Sequence, residues 1–195
     1  KIQKELYTIA NNAQANDRIV FYFAGHGETE TVGVDEKKVG YLMPVDGTLE
    51  DKWLTAIEMD VLKRMAHRSK AKHMLFMVDA CYGGLAAVDT RGLTDTASPN
   101  YLDVVANDVS RQIITAGSED QVVLSNDDWG HSAFTKNVIA ALQEQKADSN
   151  LDGVITGAEL GNYIQEKVAF DTENAQTPQN RKLTTDDGEF IFIPN

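Results

Sequence analysis

One cysteine and one histidine each follow an apolar run of similar length. Cys81, the single cysteine of the chain, follows the run His73–Ala80, and His26 closes the run that begins at Arg18. A continuous apolar run of this length is typical of a strand buried on both faces, and open sheets of such strands carry their chemistry at the carboxyl ends. We therefore expect the thiol and the imidazole to face one crevice, where the thiolate can attack as a nucleophile and the imidazole can transfer its proton.

Several short segments resemble the motifs of the caspase and metacaspase superfamily, the clan CD cysteine peptidases, and in particular its bacterial caspase-like branch. They lie in the same order as in the family and span nearly the whole chain: Ala24–Gly27, Gly40–Asp46, Asp79–Gly84, Ser110–Gly117, His131–Thr135 and Gly188–Phe192. The resemblance implies one caspase-like peptidase domain over residues 1–195 with a mostly parallel central sheet. The alternation of predicted strands and helices likewise favours a three-layer α/β/α sandwich.

The resemblance also implies a role for each residue of the crevice. Cys81 would be the nucleophile and His26 the proton-transfer partner, and the backbone N–H groups of Gly27 and Cys81 would form the oxyanion hole. Asp79 and Ser118 would bind the substrate, with the Asp79 carboxylate accepting a basic side chain. We therefore expect a cysteine endopeptidase that acts on proteins or peptides after Arg or Lys. The alternative for Asp79 is a purely structural role in capping a neighbouring loop.

A second motif is independent of the first. The segment from Asp148 to Glu159 matches the twelve-residue EF-hand loop, with a glycine at the sixth position and a glutamate at the twelfth. It lies between two predicted helices, as an EF-hand requires. The expected calcium ligands are Asp148, Asn150, Asp152, Val154, Thr156 and Glu159. The alternative is a loop that only joins the two helices. Peptide hydrolysis by a thiol is expected to require no cofactor, whether or not the loop binds calcium.

Charge and composition limit the classes of partner. The chain has 195 residues, 42% of them hydrophobic, and a formal net charge of −12. Nucleic acid and anionic membranes both require basic protein surface, so neither is expected as a partner. The acidic balance favours cationic ligands, either calcium or basic peptides. A single cysteine excludes an internal disulfide and fits a reducing compartment, which predicts a cytoplasmic location.

The chain begins at Lys1, directly in a predicted amphipathic helix. The resembled family has a further strand–helix–strand region before this point. We therefore expect either a fragment, or a sheet that is completed by a preceding segment or a partner chain. A fragment is favoured, because an uncovered apolar strand at Val20–Phe23 would promote aggregation.

The remaining pattern places the other elements. A hairpin or flap is predicted over Glu28–Val39, a helix over Thr55–Ser69, and a loop over Leu85–Pro99 in which Arg91–Gly92 is the best candidate bond for self-cleavage. The basic stretch bordered by His67 and His73 is interpreted as a solvated helix end and loop. Further predicted elements are a helix near Tyr101, a strand at Gln112–Ala116, helices at Ser132–Gln143 and Gly157–Phe170, and a last strand at Phe190–Ile193.

Two functions from other classes compete with the peptidase. One is a non-catalytic caspase-homology module that serves as a binding scaffold, since a lone cysteine is often only a small buried side chain. The other is a calcium-responsive interaction domain. Labelling by a thiol probe that depends on Cys81 would separate an enzyme from both alternatives.

Overall fold

Four strands form the central sheet, and the order in which they pair sets the position of everything else. The computed structural model describes residues 1–80, 101–118, 121, 123–126 and 129–194. The central strands are β1 (Arg18–Ala24), β5 (His73–Asp79), β6 (Ser110–Thr115) and β8 (Gln179–Lys182), in the order β1-β5-β6-β8. The first three run parallel and β8 is antiparallel to β6, so the prediction of a mostly parallel sheet is confirmed.

Helices cover both faces of this sheet. On one face α1 (Ile2–Asn12) and α3 (Asp60–Arg68) pack on a core that includes Met74, Phe76 and Val78 of β5. On the other face α5 (Ala133–Gln143) and α6 (Gly157–Asp171) pack on a second core that includes Leu75 and Met77. The alternation follows the two-residue period of a strand, which sends successive side chains to opposite faces. Every residue of β5 is therefore buried, and the three-layer prediction is confirmed.

Strand β1 lies at the edge of the sheet in the described part of the chain. Its side chains alternate between exposed and half-buried, and Val20 and Tyr22 are 45% and 42% exposed. Both are on the face covered by α5 and α6, whose apolar core centres on β5 and β6. The apolar run thus predicted the strand correctly, but β1 is buried less than its sequence suggests.

Two smaller sheets flank the central one. The first contains β2 (His26–Val32), β3 (Lys37–Met43) and β4 (Ile57–Glu58), and β2 and β3 pair as the expected hairpin. The second joins β7 (Ile155–Thr156) to β9 (Ile191–Phe192). The remaining helices are α2 (Lys52–Thr55) and α4 (Tyr101–Asn107).

Two expectations about elements are corrected. The helix predicted over Thr55–Ser69 begins only at Asp60, because Ile57 and Glu58 pair with β3 and Ile57 is buried there. Strand β8 was not predicted, because its four residues are all polar and half-buried and show no alternation. Pairing with a neighbouring strand, rather than local propensity, determines the secondary structure of both segments.

A buried arginine ties the loop before β5 to the sheet. The Arg111 guanidinium donates hydrogen bonds to the carbonyl oxygens of Ala66, Ser69 and Ala71 at 2.7, 3.3 and 2.7 Å. These carbonyls include the unpaired end of α3, so a charged group satisfies a helix terminus from within the core. The start of β5 is thereby fixed against β6.

His73 is buried, which corrects its interpretation as part of a solvated loop. It is the first residue of β5, its Nε2 lies 3.1 Å from the Asp108 carbonyl oxygen, and its ring contacts Phe190. Burial, followed by the positive charge of Arg18, lowers the pKa of His73. The folded state therefore holds this imidazole neutral at a pH where the unfolded chain would protonate it.

We expect the protein to lose stability as the pH falls below about 6.5, the ordinary histidine value, because only the unfolded state then takes up the proton. His73→Gln keeps a donor near the Asp108 carbonyl but does not titrate. Denaturant unfolding between pH 7 and pH 5 should give a shallower fall in unfolding free energy for His73→Gln than for the wild type. The exposed His67→Gln should follow the wild type, and equal slopes in all three proteins would contradict this account.

Candidate functional site

The carboxyl ends of β1 and β5, where the sequence predicts a crevice, lie side by side in the central sheet. In the parallel pairing of these strands Ala24 lies opposite Asp79, and the N–H of Gly25 donates to the Asp79 carbonyl oxygen at 3.1 Å. His26 follows β1 by two residues, and Cys81 follows β5 by two residues. The structure thus aligns the ends of the two strands from which these residues follow, while Cys81 itself lies outside the described residues.

His26 is the first residue of β2 and is exposed to solvent. Its backbone lies opposite Met43 in the hairpin, and Gly27 lies opposite Leu42, which is completely buried. The hairpin therefore starts at the histidine itself rather than at Glu28 as predicted. Pairing with the buried Leu42 segment fixes the backbone of His26, while the imidazole ring remains accessible to solvent.

Asp79 is 4% exposed, and its side chain is hydrogen-bonded to the start of α5. Its Oδ2 accepts hydrogen bonds from the Ser132 and Thr135 hydroxyls, both at 2.5 Å. Thr135 Oγ1 is also hydrogen-bonded to the Tyr22 hydroxyl of β1. Asp79 Oδ1 is buried and has no hydrogen-bond partner in the part of the chain that the structure describes. One carboxylate oxygen is thus fully engaged and the other is not.

Ser132 serves two purposes at once. It is the N-cap of α5, where its hydroxyl oxygen accepts the Thr135 N–H at 2.9 Å while its proton goes to Asp79. N-cap residues normally stabilise a helix by about 1 kcal/mol. Sequence reasoning singled out the segment His131–Thr135 but not these two hydroxyls; the serine followed three residues later by a threonine was the signal. His131 itself is exposed.

Ser118 lies just beyond β6, half-buried, in a segment that two glutamines hold in place. Gln121 Oε1 accepts the N–H of Ser118 at 3.0 Å and the N–H of Thr177 at 2.9 Å. Gln176, which is fully buried, donates to the Ala116 carbonyl oxygen at 2.6 Å and accepts the Leu124 N–H at 2.9 Å. The segment after β6 is thus fastened to the chain that follows α6, a connection that no local pattern predicted.

The EF-hand-like loop is not part of this crevice. It follows the C-terminal end of α5, whereas Ser132 precedes the N-terminal end, and a helix of 11 residues is about 16 Å long. Its context is as predicted, because α6 begins within it and Gly153 has the left-handed φ of +81° that favours glycine at the turn. The loop is thus separated from Ser132 by the length of α5.

Within the loop, the side chains bond to the loop itself. Asp148 Oδ2 accepts the Gly153 N–H at 3.0 Å, and Asp152 Oδ1 accepts the Val154 N–H at 2.8 Å. Glu159 completes a capping box with Thr156 and also accepts from Ser149. In the described ranges no three His, Cys, Asp or Glu side chains are grouped so that they could hold a metal ion. Asn150 Oδ1 likewise accepts the Asp152 N–H at 2.9 Å.

Two sequence predictions fall outside the described residues. Cys81 is one, and the loop Leu85–Pro99 with its candidate bond Arg91–Gly92 is the other. The structure thus fixes the strand that leads to the cysteine, and it fixes His26, Gly27 and Asp79 around that strand end.

Comparisons with known proteins agree with this architecture. The family model described as Peptidase C14, caspase domain, matches residues 1–187. Among solved structures, the chain is similar to the crystal structure of protein GSU0716 from Geobacter sulfurreducens, with 12% identity, a TM-score of 0.55, and coverage of 92% of this chain and 71% of the other. That likeness shows the fold alone. Among curated proteins, no sequence matches. No helix in the described ranges is long and apolar enough to cross a membrane.

Gln176→Met should lower the free energy of unfolding by about 1–3 kcal/mol, because it leaves the Ala116 carbonyl and the Leu124 N–H without their partner at nearly unchanged volume. Urea unfolding measures the difference. Gln14→Met, at an exposed position, is the control and should change stability by less than about 0.5 kcal/mol. Equal effects of the two variants would show that Gln176 does not anchor the segment.

Proposed function

Because the chain belongs to the caspase-domain peptidase family, we propose that it is a cysteine endopeptidase that cleaves proteins or peptides after Arg or Lys with a dyad of Cys81 and His26. The family match supports a cysteine peptidase in general terms. The observation that carries the finer proposal is the alignment of Ala24 with Asp79, from which His26 and Cys81 follow at equal offsets.

In the proposed mechanism the Cys81 thiolate attacks the carbonyl carbon of the scissile bond, and the backbone N–H groups of Gly27 and Cys81 stabilise the resulting oxyanion. Loss of one such donor typically costs about 2.7–4 kcal/mol of barrier. His26 then protonates the leaving amine, and water hydrolyses the acyl-enzyme. The exposure of His26 supports this role, because both the substrate and water must reach the ring.

Recognition of a basic side chain is assigned to Asp79, with Ser118 as a second contact. The support is the buried Asp79 carboxylate, whose Oδ1 has no hydrogen-bond partner among the described residues, in a chain whose net charge is −12. An acidic protein attracts cationic peptides before they dock, and a buried carboxylate discriminates strongly against an acidic side chain. The cytoplasmic location proposed from the single cysteine is compatible with a free thiol.

The open edge of β1 supports a further part of the proposal, a segment or partner chain that completes the sheet. Val20 and Tyr22 are exposed there, and within the described ranges no strand pairs with the outer edge of β1, which leaves its backbone groups available to another strand. Such a strand would cover the side of the crevice next to β1.

Calcium binding at the loop Asp148–Glu159 is proposed separately. The sequence pattern, the helix on either side and the φ of Gly153 support it. Glu159 would have to exchange its hydrogen bonds with Ser149 for the ion, since its carboxylate is engaged. That exchange predicts weaker binding than in an EF-hand whose ligands are preorganised.

We expect Cys81→Ala and His26→Ala each to reduce hydrolysis of a fluorogenic peptide with Arg before the scissile bond by about 100-fold or more, since each removes a group required for chemistry. The wild type should cleave Arg and Lys substrates faster than the matching Asp substrate. The measurement is kcat/KM on all three peptides.

His67→Ala is the matched control, because this histidine is exposed at the end of α3, on the face opposite α5 and α6, and should retain full activity. Near-wild-type rates in His26→Ala would exclude the dyad. A folded wild type that neither reacts with the thiol probe at Cys81 nor hydrolyses any of the peptides would favour a non-catalytic binding module.

Titration calorimetry should detect calcium binding to the wild type, and Glu159→Gln should weaken it at least tenfold, because it removes the bidentate ligand. Glu166→Gln, on the exposed side of α6 where Glu166 pairs with Lys167, should bind as the wild type does. No heat in the wild type at millimolar calcium would leave the loop as a structural turn.

A further inference from the structure

Two hydroxyl groups bond the side chain of Asp79, and a third hydroxyl bonds one of these two. Ser132 and Thr135 of the α5 N-terminus both bond its Oδ2, and Tyr22 of β1 bonds Thr135. The directions of these bonds are determined. A carboxylate only accepts hydrogen bonds, so Thr135 donates its single hydroxyl hydrogen to Asp79 and accepts the hydrogen bond from Tyr22. The result is a chain of donors that runs from Tyr22 through Thr135 to Asp79.

Tyr22 can act as the terminal donor at neutral pH. Partial burial, and then the negative charge of Asp79, raise the pKa of Tyr22 despite its bond to Thr135. The phenol therefore keeps its proton under all conditions in which the protein is folded near neutrality.

The other oxygen of the same carboxylate, Oδ1, is buried and has no hydrogen-bond partner in the described part of the chain. An unsatisfied buried acceptor costs about 1–3 kcal/mol, and more when it is charged. The donors on Oδ2 are neutral hydroxyls, so they orient the group without cancelling its charge. A cation bound at Oδ1 would satisfy this oxygen with a charge-assisted hydrogen bond and so recover that cost.

We propose that Thr135, Ser132 and Tyr22 are positioning residues that fix the plane of the Asp79 carboxylate so that Oδ1 receives the guanidinium or ammonium group of the substrate. This inference rests on the proposed function and deepens it. The terminal torsion of an aspartate is broad, so a carboxylate without fixed donors turns freely. Two hydroxyls on one oxygen remove that freedom, and Oδ1 then keeps one direction.

A purely structural reading explains only part of the geometry. Ser132 is the N-cap of α5, and a tether between a strand end and a helix start needs one hydrogen bond. It does not require Thr135, which lies beyond the cap, nor Tyr22, which comes from another strand and is 42% exposed. The two readings differ in what they predict for ligands of different charge, because a tether affects all ligands equally.

The test measures binding rather than turnover, so it does not depend on catalysis. In a Cys81→Ala background, calorimetry compares an Arg-terminated peptide with the same peptide ending in citrulline, which has nearly the same shape but no charge. The Arg peptide should bind at least tenfold more tightly. Adding Thr135→Val, which removes the hydroxyl at similar size, should reduce that ratio by about tenfold, and Thr135→Ser should restore it.

Two further variants keep the result interpretable. Thr8→Val makes the same change on α1, where the hydroxyl bonds only the Lys4 carbonyl, and should leave the ratio unchanged. If Thr135→Val does not fold, Tyr22→Phe takes its place, because Tyr22 is half-exposed and tolerates substitution. Tyr22→Phe should also lower the ratio of the two affinities.

An equal loss of affinity for both peptides, or a ratio that neither Thr135→Val nor Tyr22→Phe changes, would overturn the proposal. So would a protein that hydrolyses peptides through Cys81 and His26 but does not distinguish Arg from citrulline. Arg binding that depends on Thr135 in a protein without hydrolytic activity would instead refute the proposed function and leave this inference standing.

Discussion

The parallel register between β1 and β5 is the constraint on which the rest of the site depends. Ala24 opposite Asp79 places the two strand ends at the same level, and each residue of slip would displace one end by about 3.3 Å. A slip of one residue would also turn every side chain of β1 to the wrong face. Packing of Phe21 against Phe76 on one face opposes such a slip. Apolar packing therefore sets the spacing of the polar groups that follow.

The proposed site combines an exposed histidine with a buried carboxylate. His26 stands on a hairpin at the surface, where water and the leaving group can reach it, while Asp79 is enclosed by α5. A buried charge is costly unless it is compensated, and here neutral hydroxyls compensate only one of its oxygens. In the function that we propose, the remaining charge of Asp79 binds the basic side chain of the substrate. The same helix start thus supports both the fold and the specificity that we propose.

Much of this arrangement could be predicted from the sequence, and the reasons for the failures are physical. The apolar runs predicted β1 and β5 correctly, because strand burial leaves a pattern in one dimension. The crevice at their carboxyl ends stays a prediction, since Cys81 lies outside the described residues. His73 was misread because burial of a histidine at the start of a strand depends on Phe190 and Asp108, which come from distant segments. The Gln176 anchor and the Thr135 hydroxyl were missed for the same reason. Contacts between distant polar side chains have no period, so only the folded chain reveals them.

In the site that we propose, one crevice holds the nucleophile, the proton donor and the carboxylate that binds a basic side chain. The most direct measurement is a crystal structure of the protein after reaction with a peptidyl chloromethyl ketone that carries Arg next to the reactive group. We expect a thioether at Cys81, the His26 ring within hydrogen-bond distance of the inhibitor, and the guanidinium on Asp79 Oδ1. Alkylation of another residue, or a guanidinium bound away from Asp79, would contradict it.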